Sequence, residues 1–328
     1  MKKYHRLISI ETQNEWESCL EGIPHTFGHT WEHCYAMYLN SGLPTFLYCF
    51  EKDDIRVVCP IVERNFGGYK DITKPFGFSG FVANKDCPDF SVYWQDFVRS
   101  RGYVCGYLGL NPIFDYGSLF ESSEIHAYNN AYVLDLKLSV NELLAGMATK
   151  RRQQFNNWDE TVSNFILDKS ELINFFHEQY DAFLLRKNAS AFYYFAPKTL
   201  TYLSGLNNVI LVGVKLSGKI VAATLFAYTK HMGDALYHAS LPGCQKHSAP
   251  LLWYGALQLK SLKVPALNLG GGSGGIADFK RRFGAQKRPL RCLKQVYRED
   301  INEKLCEGVN VDPTDISGFF PAYRHLVA

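Results

Sequence analysis

A glycine-rich stretch at residues 267–289, LNLGGGSGGIADFKRRFGAQKRP, combines residue types that readily meet a ligand. Its glycines follow an apolar, strand-like run, so the backbone there either approaches a ligand closely or only turns a corner. They do not form a G-x-G-x-x-G dinucleotide fingerprint, because the later acidic residue is missing and the strands lack βαβ spacing. Lys280, Arg281 and Arg282 follow within one helical turn, so they cannot all face one ligand.

A second candidate lies at residues 244–250, CQKHSAP, between a strand and a helix that Pro250 can begin. The free N–H groups and the dipole of such a helix end form an anion site, to which Lys246 and His247 can add charge. The alternative is an ordinary strand-to-helix loop. His238, in YHAS, is a candidate general base because a neutral imidazole titrates near pH 7. A histidine hydrogen-bonded within the core is the alternative.

The first half carries KPFGFSGF at residues 74–81 and LNPIFDYG at residues 110–117. Aromatic rings, glycines and a carboxylate suit a ligand cleft, in which a ring can stack on a flat group of the ligand. Asp115 can hold an ammonium group of a ligand or serve as a second candidate base. Tyr193 and Tyr194 follow Arg186 and suit a cleft wall. Loops and core aromatics explain the same residues equally simply.

The composition indicates an ordered protein in a reducing compartment. Hydrophobic residues make up 47% and charged residues 20% of the 328 residues, and the net charge of +3 provides no whole-protein attraction for DNA or a membrane. The nine cysteines are scattered singly. The sequence shows neither a signal peptide nor a membrane span, so we expect a soluble, cytoplasmic protein.

The histidines at positions 25, 29 and 33 are spaced like a metal face on a helix, but Gly28 interrupts that helix. We expect no metal. Covalent catalysis has no support either, because no Ser-His-Asp or Cys-His order stands out.

The pattern of elements predicts two copies of one α+β unit. The second half reads β-β-β-loop-α-β-α-β, and the first half has a similar order. Ser139 and Glu142 form a capping box ahead of a helix over LLAGMATKRRQQFNNW, which sets the predicted boundary. We therefore predict units at residues 1–138 and 139–328, each a mixed, mostly antiparallel sheet flanked by helices.

Several stretches resemble the Fem-like branch of the GNAT acyltransferase superfamily, in which two GNAT units stand in tandem. They are VLDLKLSVNELLAGMATKRRQQFNNW, with its basic cluster Lys150, Arg151 and Arg152, then GKIVAATLFAYTKHMGDALYHAS, then SAPLLWYGALQLKSL followed by ALNLGG, and finally the Phe-Lys-x-x-Phe-Gly run from Phe279 to Gly284. The last is the most specific. HTFGHTWEHCYAMYLNSG near the N-terminus also looks like the opening segment of the family.

The resemblance implies transfer of an acyl or aminoacyl group onto an amine. The sequence lacks the long helical arm of several tRNA-using members, which favours an acyl-CoA-dependent N-acyltransferase of surface-polysaccharide synthesis. Its acceptor would be a nucleotide-linked amino sugar such as a dTDP-3-amino-3,6-dideoxyhexose, and acyl-CoA would be a co-substrate rather than a bound cofactor. The alternatives are an aminoacyl-tRNA-dependent transferase acting on a peptidoglycan precursor, and a non-catalytic binding protein.

The resemblance also implies site residues, in a cleft between the tandem units. The superfamily phosphate pattern Gln/Arg-x-x-Gly-x-Gly/Ala is met here at its first residue, with Ser248 in place of glycine. Backbone N–H groups of the splayed strand near His238 would stabilise the oxyanion. The catalytic candidates are His238 and Asp115. The donor-binding candidates are Gln245, Lys246, His247, Ser248, Ala249, Gly271, Gly272 and Lys280. The acceptor-binding candidates are Phe78, Asn111, Tyr116, Arg186, Tyr193 and Tyr194.

Overall fold

The computed structural model describes residues 4–114 and 119–325, and its contacts divide the chain into two compact units. The first comprises residues 1–128 and 289–328, and the second comprises residues 129–288. This division differs from the predicted boundary after residue 138, and it returns the C-terminal segment to the first unit. Within the described ranges, no helix is long and apolar enough to cross a membrane.

The first unit is a mixed sheet with helices packed against it. Its strands are β1 His5–Ser9, β2 Thr45–Lys52, β3 Ile55–Phe66, β4 Tyr69–Thr73, β5 Val82–Ala83 and β6 Cys105–Leu110. Its helices are α1 Gln13–Leu20, α2 Trp31–Ser41 and α3 Phe90–Ser100, together with a late helix described below. The strand order is β1-β2-β3-β4-β6, with β5 beside β3. Buried Tyr48, Phe90 and Trp94 fill the space between the sheet and α3, as the aromatic-rich sequence predicts.

The second unit repeats this architecture. Its strands are β7 Ile125–Asp135, β8 Phe165–Ile166, β9 Val209–Leu216, β10 Lys219–Tyr228, β11 Gly233–Ser240 and β12 Ala266–Gly271. Its helices are α4 Val140–Gly146, α5 Thr149–Arg152, α6 Trp158–Val162, α7 Lys169–Arg186, α8 Pro197–Gly205, α9 Ser248–Ser261 and α10 Gly274–Arg281. The strand order is β8-β9-β10-β11-β12-β7. Apolar residues of α9, including Leu251 and Leu259, are buried in the core of this unit, and the helix that Pro250 was expected to begin is confirmed.

Two strands complete the sheets from unexpected parts of the chain. Strand β13, Gln286–Val296, pairs antiparallel with β6 of the first unit, and helix α11, Glu299–Glu307, follows it. Strand β7, most of which belongs to the second unit, begins that unit in sequence and pairs antiparallel with β12. At one edge of its sheet, each unit therefore has a parallel strand pair and then an antiparallel strand. These strands are β4, β6 and β13 in the first unit, and β11, β12 and β7 in the second. The predicted α+β class, with two units that each hold a mixed sheet flanked by helices, is confirmed.

The segment after Ser139 departs from the single long helix expected there. The capping box is present, since the Ser139 hydroxyl accepts from the Glu142 N–H at 3.2 Å and the Ser139 N–H donates to the Glu142 carboxylate at 2.7 Å. The helix nevertheless ends at Gly146, and two shorter helices follow. Glycine is a weak helix former, so a break at this position is physically reasonable.

Candidate functional site

The second unit opens between two neighbouring parallel strands. Strands β11 and β12 pair at only two positions, Gly233 with Leu267 and Asp234 with Asn268. Beyond these positions β11 continues along β10, and β12 continues along β7. The strands therefore separate toward their C-terminal ends, and the peptide groups on their inner edges no longer pair across the opening between them. Such groups are strong hydrogen-bonding partners for a ligand.

A buried polar pair fixes the point of divergence. The Asn268 amide donates to the Asp234 carboxylate at 2.9 Å, and its oxygen accepts from the Gly270 N–H at 2.9 Å. Gly270 has a φ of +80°, a left-handed conformation that favours glycine. One amide thus holds both the last paired rung and the start of the glycine run. Neither residue of this pair was predicted as functional from the sequence, although polar Asn268 inside ALNLGG was a visible signal.

His238 lies on β11 beside this opening. Its Nδ1 is 2.9 Å from the Thr224 hydroxyl, and its Nε2 is 3.0 Å from the Ser248 hydroxyl. Burial, with the positive charge of Lys187, lowers the pKa of His238 to about 4. The ring is therefore neutral near pH 7 and a weak proton acceptor. Its assignment as the general base stays a prediction.

The predicted phosphate loop forms a helical entry to α9. Residues Gln245–His247 are a 3-10 helix that runs into Ser248, and the side chains of Gln245 and Lys246 are exposed. Ser248 turns toward His238 instead, and Ala249 is packed in the core.

His247 is only partly exposed. Burial, then the charge of Lys246, lowers the pKa of His247. Its Nε2 is a buried atom with no hydrogen-bond partner among the described residues. The loop thus presents an exposed cation and a neutral ring at a helix N-terminus, where anions are favoured.

Lys280 and Gly271, both predicted to bind the donor, are in contact. The Lys280 ammonium donates to the Gly271 carbonyl at 2.5 Å, and burial lowers the pKa of Lys280 to about 8. Gly272 is tightly enclosed, because a Cβ there would lie 2.6 Å from the Ile276 side chain. A half-buried ammonium therefore lies next to the glycine run, close to the end of β12.

The Phe-Lys-x-x-Phe-Gly run docks onto the segment after α4. The Arg151 guanidinium lies 4.6 Å from the ring centroids of both Phe279 and Phe283, and these two rings contact each other edge to face. Gly284 has a φ of +77°, and a Cβ there would lie 2.7 Å from the Gly146 carbonyl oxygen. Two of the stretches that carry the family resemblance thus pack against each other.

Among the predicted acceptor residues of the second unit, Arg186 contacts the end of β11, and Tyr193 and Tyr194 precede Phe195, which packs against Tyr237 of β11. Arg186, at the end of α7, donates to the Ser240 carbonyl at 2.7 Å, two residues beyond His238. Tyr193 is 46% exposed, and Tyr194 is half-buried. Arg186 is therefore held at the opening, and the Tyr193 side chain is partly exposed.

The predicted acceptor residues of the first unit have structural contacts. The Phe78 carbonyl accepts from the Thr26 hydroxyl at 2.6 Å. Asn111 is 3% exposed, and its oxygen accepts from the N–H groups of two following residues at 2.9 and 3.1 Å. Its amide nitrogen has no partner among the described residues. Asp115 and Tyr116 lie outside the described residues.

The spaced histidines do not share a helix face. The His29 ring contacts the Gly80 carbonyl at 3.1 Å, and His33 Nε2 contacts the Phe76 carbonyl at 2.7 Å. Burial lowers the pKa of His29 to about 3 and that of His33 to about 4, so both rings are neutral near pH 7. In the ranges that the structure covers, no group of three or more histidine, cysteine or acidic residues is placed to hold a metal ion.

Comparisons with known proteins establish the fold. No protein-family model and no curated protein matches the sequence. Among solved structures, the crystal structure of FemX has a TM-score of 0.66 at 10% identity, covering 92% of this chain and 99% of its own. The structure of L-PGS from Bacillus licheniformis has a TM-score of 0.57 at 14% identity, covering 86% of this chain and 91% of its own.

A third similar structure is the C-terminal domain of a putative lysylphosphatidylglycerol synthetase from Agrobacterium fabrum. Its TM-score is 0.51 at 14% identity, and the match covers 80% of this chain and 88% of that domain. At these identities the likeness concerns the fold, and this chain has a Fem/GNAT-like fold.

Proposed function

We propose that this protein is an acyltransferase that moves an acyl or aminoacyl group from an activated donor onto an amine. The observation that carries the proposal is the divergence of β11 and β12 beside the N-terminus of α9. The inner strand edges offer peptide groups to the acyl part of a donor, and the helix end offers N–H groups to its phosphates. Both features belong to the second unit, which we assign to the donor.

The reaction we assign is direct transfer. The neutral acceptor amine attacks the donor carbonyl, and the bond to the leaving sulfur or oxygen then breaks. Holding two substrates together supplies a large share of such a rate enhancement, so positioning groups matter more than a covalent nucleophile. In the second unit we assign the acceptor contacts to two residues. They are Arg186, which donates to the carbonyl at the end of β11, and Tyr193, which is partly exposed.

The first donor we propose is acyl-CoA, with a nucleotide-linked amino sugar such as a dTDP-3-amino-3,6-dideoxyhexose as acceptor. Exposed Gln245 and Lys246 stand at the helical entry to α9, where a pyrophosphate would gain both charge and helix dipole. Lys280 supplies a second ammonium near the glycine run. The serine at position 248 departs from the usual glycine, and its hydroxyl is engaged with His238.

A second candidate donor is aminoacyl-tRNA, acting on a peptidoglycan precursor. The observation that favours it is the division of charge between the units. Residues 129–288 hold 19 Lys/Arg against 10 Asp/Glu, a net of +9, whereas the rest of the chain holds 16 against 22, a net of −6. A basic donor unit suits a polyanion, and such binding falls steeply as salt rises.

The experiment that tests these donors is thermal unfolding with and without free CoA at constant salt. A ligand at about 100 times its dissociation constant adds roughly 2.7 kcal/mol, which raises the midpoint by several degrees. The matched controls are Lys246→Ala, which should reduce the CoA-dependent rise, and Lys230→Ala at the exposed β10–β11 turn, at the opposite end of β11, which should not.

A rise in the midpoint would support acyl-CoA and lead to thiol-release assays with acetyl-CoA and dTDP-linked amino sugars. No rise, together with tRNA binding that weakens with salt, would move the donor to aminoacyl-tRNA. Failure to bind either donor would overturn the proposed function.

A further inference from the structure

Three side chains form a continuous hydrogen-bonded chain beside the opening. The Thr224 hydroxyl lies 2.9 Å from His238 Nδ1, and the Ser248 hydroxyl lies 3.0 Å from His238 Nε2. A neutral imidazole carries one proton, so it donates at one nitrogen and accepts at the other. The two hydrogen bonds therefore point either from Thr224 toward Ser248 or from Ser248 toward Thr224. Their direction decides which of the two hydroxyl groups keeps a hydrogen that it can donate to a substrate.

Burial selects the direction. Thr224 is 4% exposed, and within the described residues its hydroxyl has no acceptor other than His238. If Nδ1 carried the proton, the Thr224 hydrogen would be buried without an acceptor, which costs stability. The Thr224 hydroxyl therefore donates to Nδ1, and the Nε2–H donates to the Ser248 oxygen. The hydroxyl hydrogen of half-buried Ser248 is then not used by His238 and can be donated to another group.

We propose that the Ser248 hydroxyl donates a hydrogen bond to the carbonyl oxygen of the bound acyl group, and that His238 and Thr224 position it. This inference rests on the proposed acyl transfer. Ser248 begins α9 at its N-terminal end, and its side chain contacts β11, the strand that we assign to the acyl part of the donor, whereas exposed Gln245 and Lys246 are the residues that we assign to the phosphates. A donor held in advance at that end stabilises the oxyanion as it forms. Ser248 becomes a catalytic residue, whereas His238 and Thr224 are positioning residues.

The step balances without a proton moving to His238. The amine lone pair forms a bond to the carbonyl carbon, and the carbonyl π pair moves onto oxygen, where Ser248 holds it. The pair returns as the carbon–sulfur or carbon–oxygen bond breaks, and the leaving atom takes the bond electrons. One amine proton ends on that leaving atom, so an amide and a free thiol or hydroxyl are formed.

The surroundings of His238 agree with a neutral ring. The Phe183 ring packs against the imidazole with centroids 5.5 Å apart, and Lys187 lies close enough to oppose a second positive charge. Thr224 and Ser248, its two hydrogen-bond partners, are both uncharged. No described carboxylate contacts the imidazole to stabilise a protonated form, which a general base of the Ser-His-Asp type requires.

Nitrogen-15 NMR of histidine side chains tests the direction without any substrate. We expect the His238 signals, identified by their loss in His238→Gln, to show a protonated Nε2 and a bare Nδ1 at pH 7. Thr224→Val should disturb this tautomer, whereas Thr201→Val, which removes a hydroxyl that contacts His177, should leave the His238 signals unchanged. A protonated Nδ1 in the wild-type protein would overturn the proposal.

Turnover tests the role, using thiol release from acetyl-CoA with a dTDP-linked amino sugar. Ser248→Ala should lower kcat by about 100-fold with little change in KM for acetyl-CoA, the usual loss of one oxyanion donor. His238→Gln should stay within about tenfold of wild type, because its amide can still donate to Ser248, whereas His238→Leu should fall as far as Ser248→Ala. Equal loss in both His238 variants, with a changed pH profile, would assign a base and overturn the proposal.

The two failures are distinguishable. Absence of donor binding and turnover would overturn the proposed function, and with it the role of Ser248, even with the expected tautomer. Turnover that survives Ser248→Ala would overturn only the role assigned to Ser248.

Discussion

Asp234 and Asn268 face each other at the last rung before β11 and β12 diverge, joined by a buried hydrogen bond of 2.9 Å. They are 2% and 1% exposed, so neither group can exchange this contact for water. The pair ends the parallel ladder at a fixed position and therefore sets the depth of the opening. Its energetic importance is testable, because removal of one partner leaves the other buried.

Asn268→Ala is expected to lower the free energy of unfolding by about 1–3 kcal/mol, because the Asp234 carboxylate and the Gly270 N–H each lose a partner. Urea unfolding measures this change. Asn207→Ala, at an exposed turn, is the matched control and should change stability by no more than about 0.5 kcal/mol. Equal effects of the two substitutions would show that the buried pair does not fix the strands.

Gly284→Ala should destabilise the protein more than Gly218→Ala. Both glycines are left-handed, with φ values of +77° and +79°, so each alanine pays a backbone cost of about 1–2 kcal/mol. At Gly284 the new Cβ also meets the Gly146 carbonyl at 2.7 Å, whereas nothing lies within 4 Å of it at Gly218. The extra cost is about 1–3 kcal/mol, read from the difference between the two unfolding curves. Indistinguishable unfolding curves would contradict the close approach of Gly284 to the Gly146 carbonyl.

Arg151→Ala should cost about 2 kcal/mol of stability, because it removes two cation–ring contacts and a 2.6 Å hydrogen bond to Gln154. The neighbouring Arg152 is exposed, so Arg152→Ala should lie within about 0.5 kcal/mol of wild type. Thermal and urea unfolding of the two variants provide the comparison. A larger loss in Arg152→Ala would refute the packing role given to Arg151.

The sequence predicted the elements better than their partners. Period and capping signals located α9, α10 and the Ser139 capping box, because these depend on residues close together in the chain. The unit boundary depends on where β7 and β13 pair, and a strand's pattern of side chains does not name its neighbour. The prediction assigned both strands by their position in the chain and so grouped residues 289–328 with the second unit, whereas the contacts group them with residues 1–128.

In the candidate site, too, the sequence predicted individual residues better than their partners in space. Lys280 and Gly271 were chosen by resemblance, and the structure places them in contact. Asp234 and Thr224 gave no comparable signal, since a polar residue in a strand predicts neither its partner nor its burial. The contact between His238 and Ser248 joins residues from a strand and a later helix, so only the fold brings them together.

The stability contributed by Lys280 should depend on pH. Burial lowers its pKa from the usual 10.5 to about 8, so the unfolded chain binds the proton more tightly than the folded one. The cost of burying the ammonium is therefore present in full below pH 8 and declines as pH rises toward 10.5. Lys280→Met should gain stability relative to wild type at pH 7, and this gain should shrink by about 2 kcal/mol at pH 10.

Urea unfolding at both pH values measures the difference. Arg281→Met is the control, because a guanidinium stays charged throughout this range and its effect should not change. A gain that is equal at pH 7 and pH 10 would show that the Lys280 ammonium is not destabilised by its surroundings.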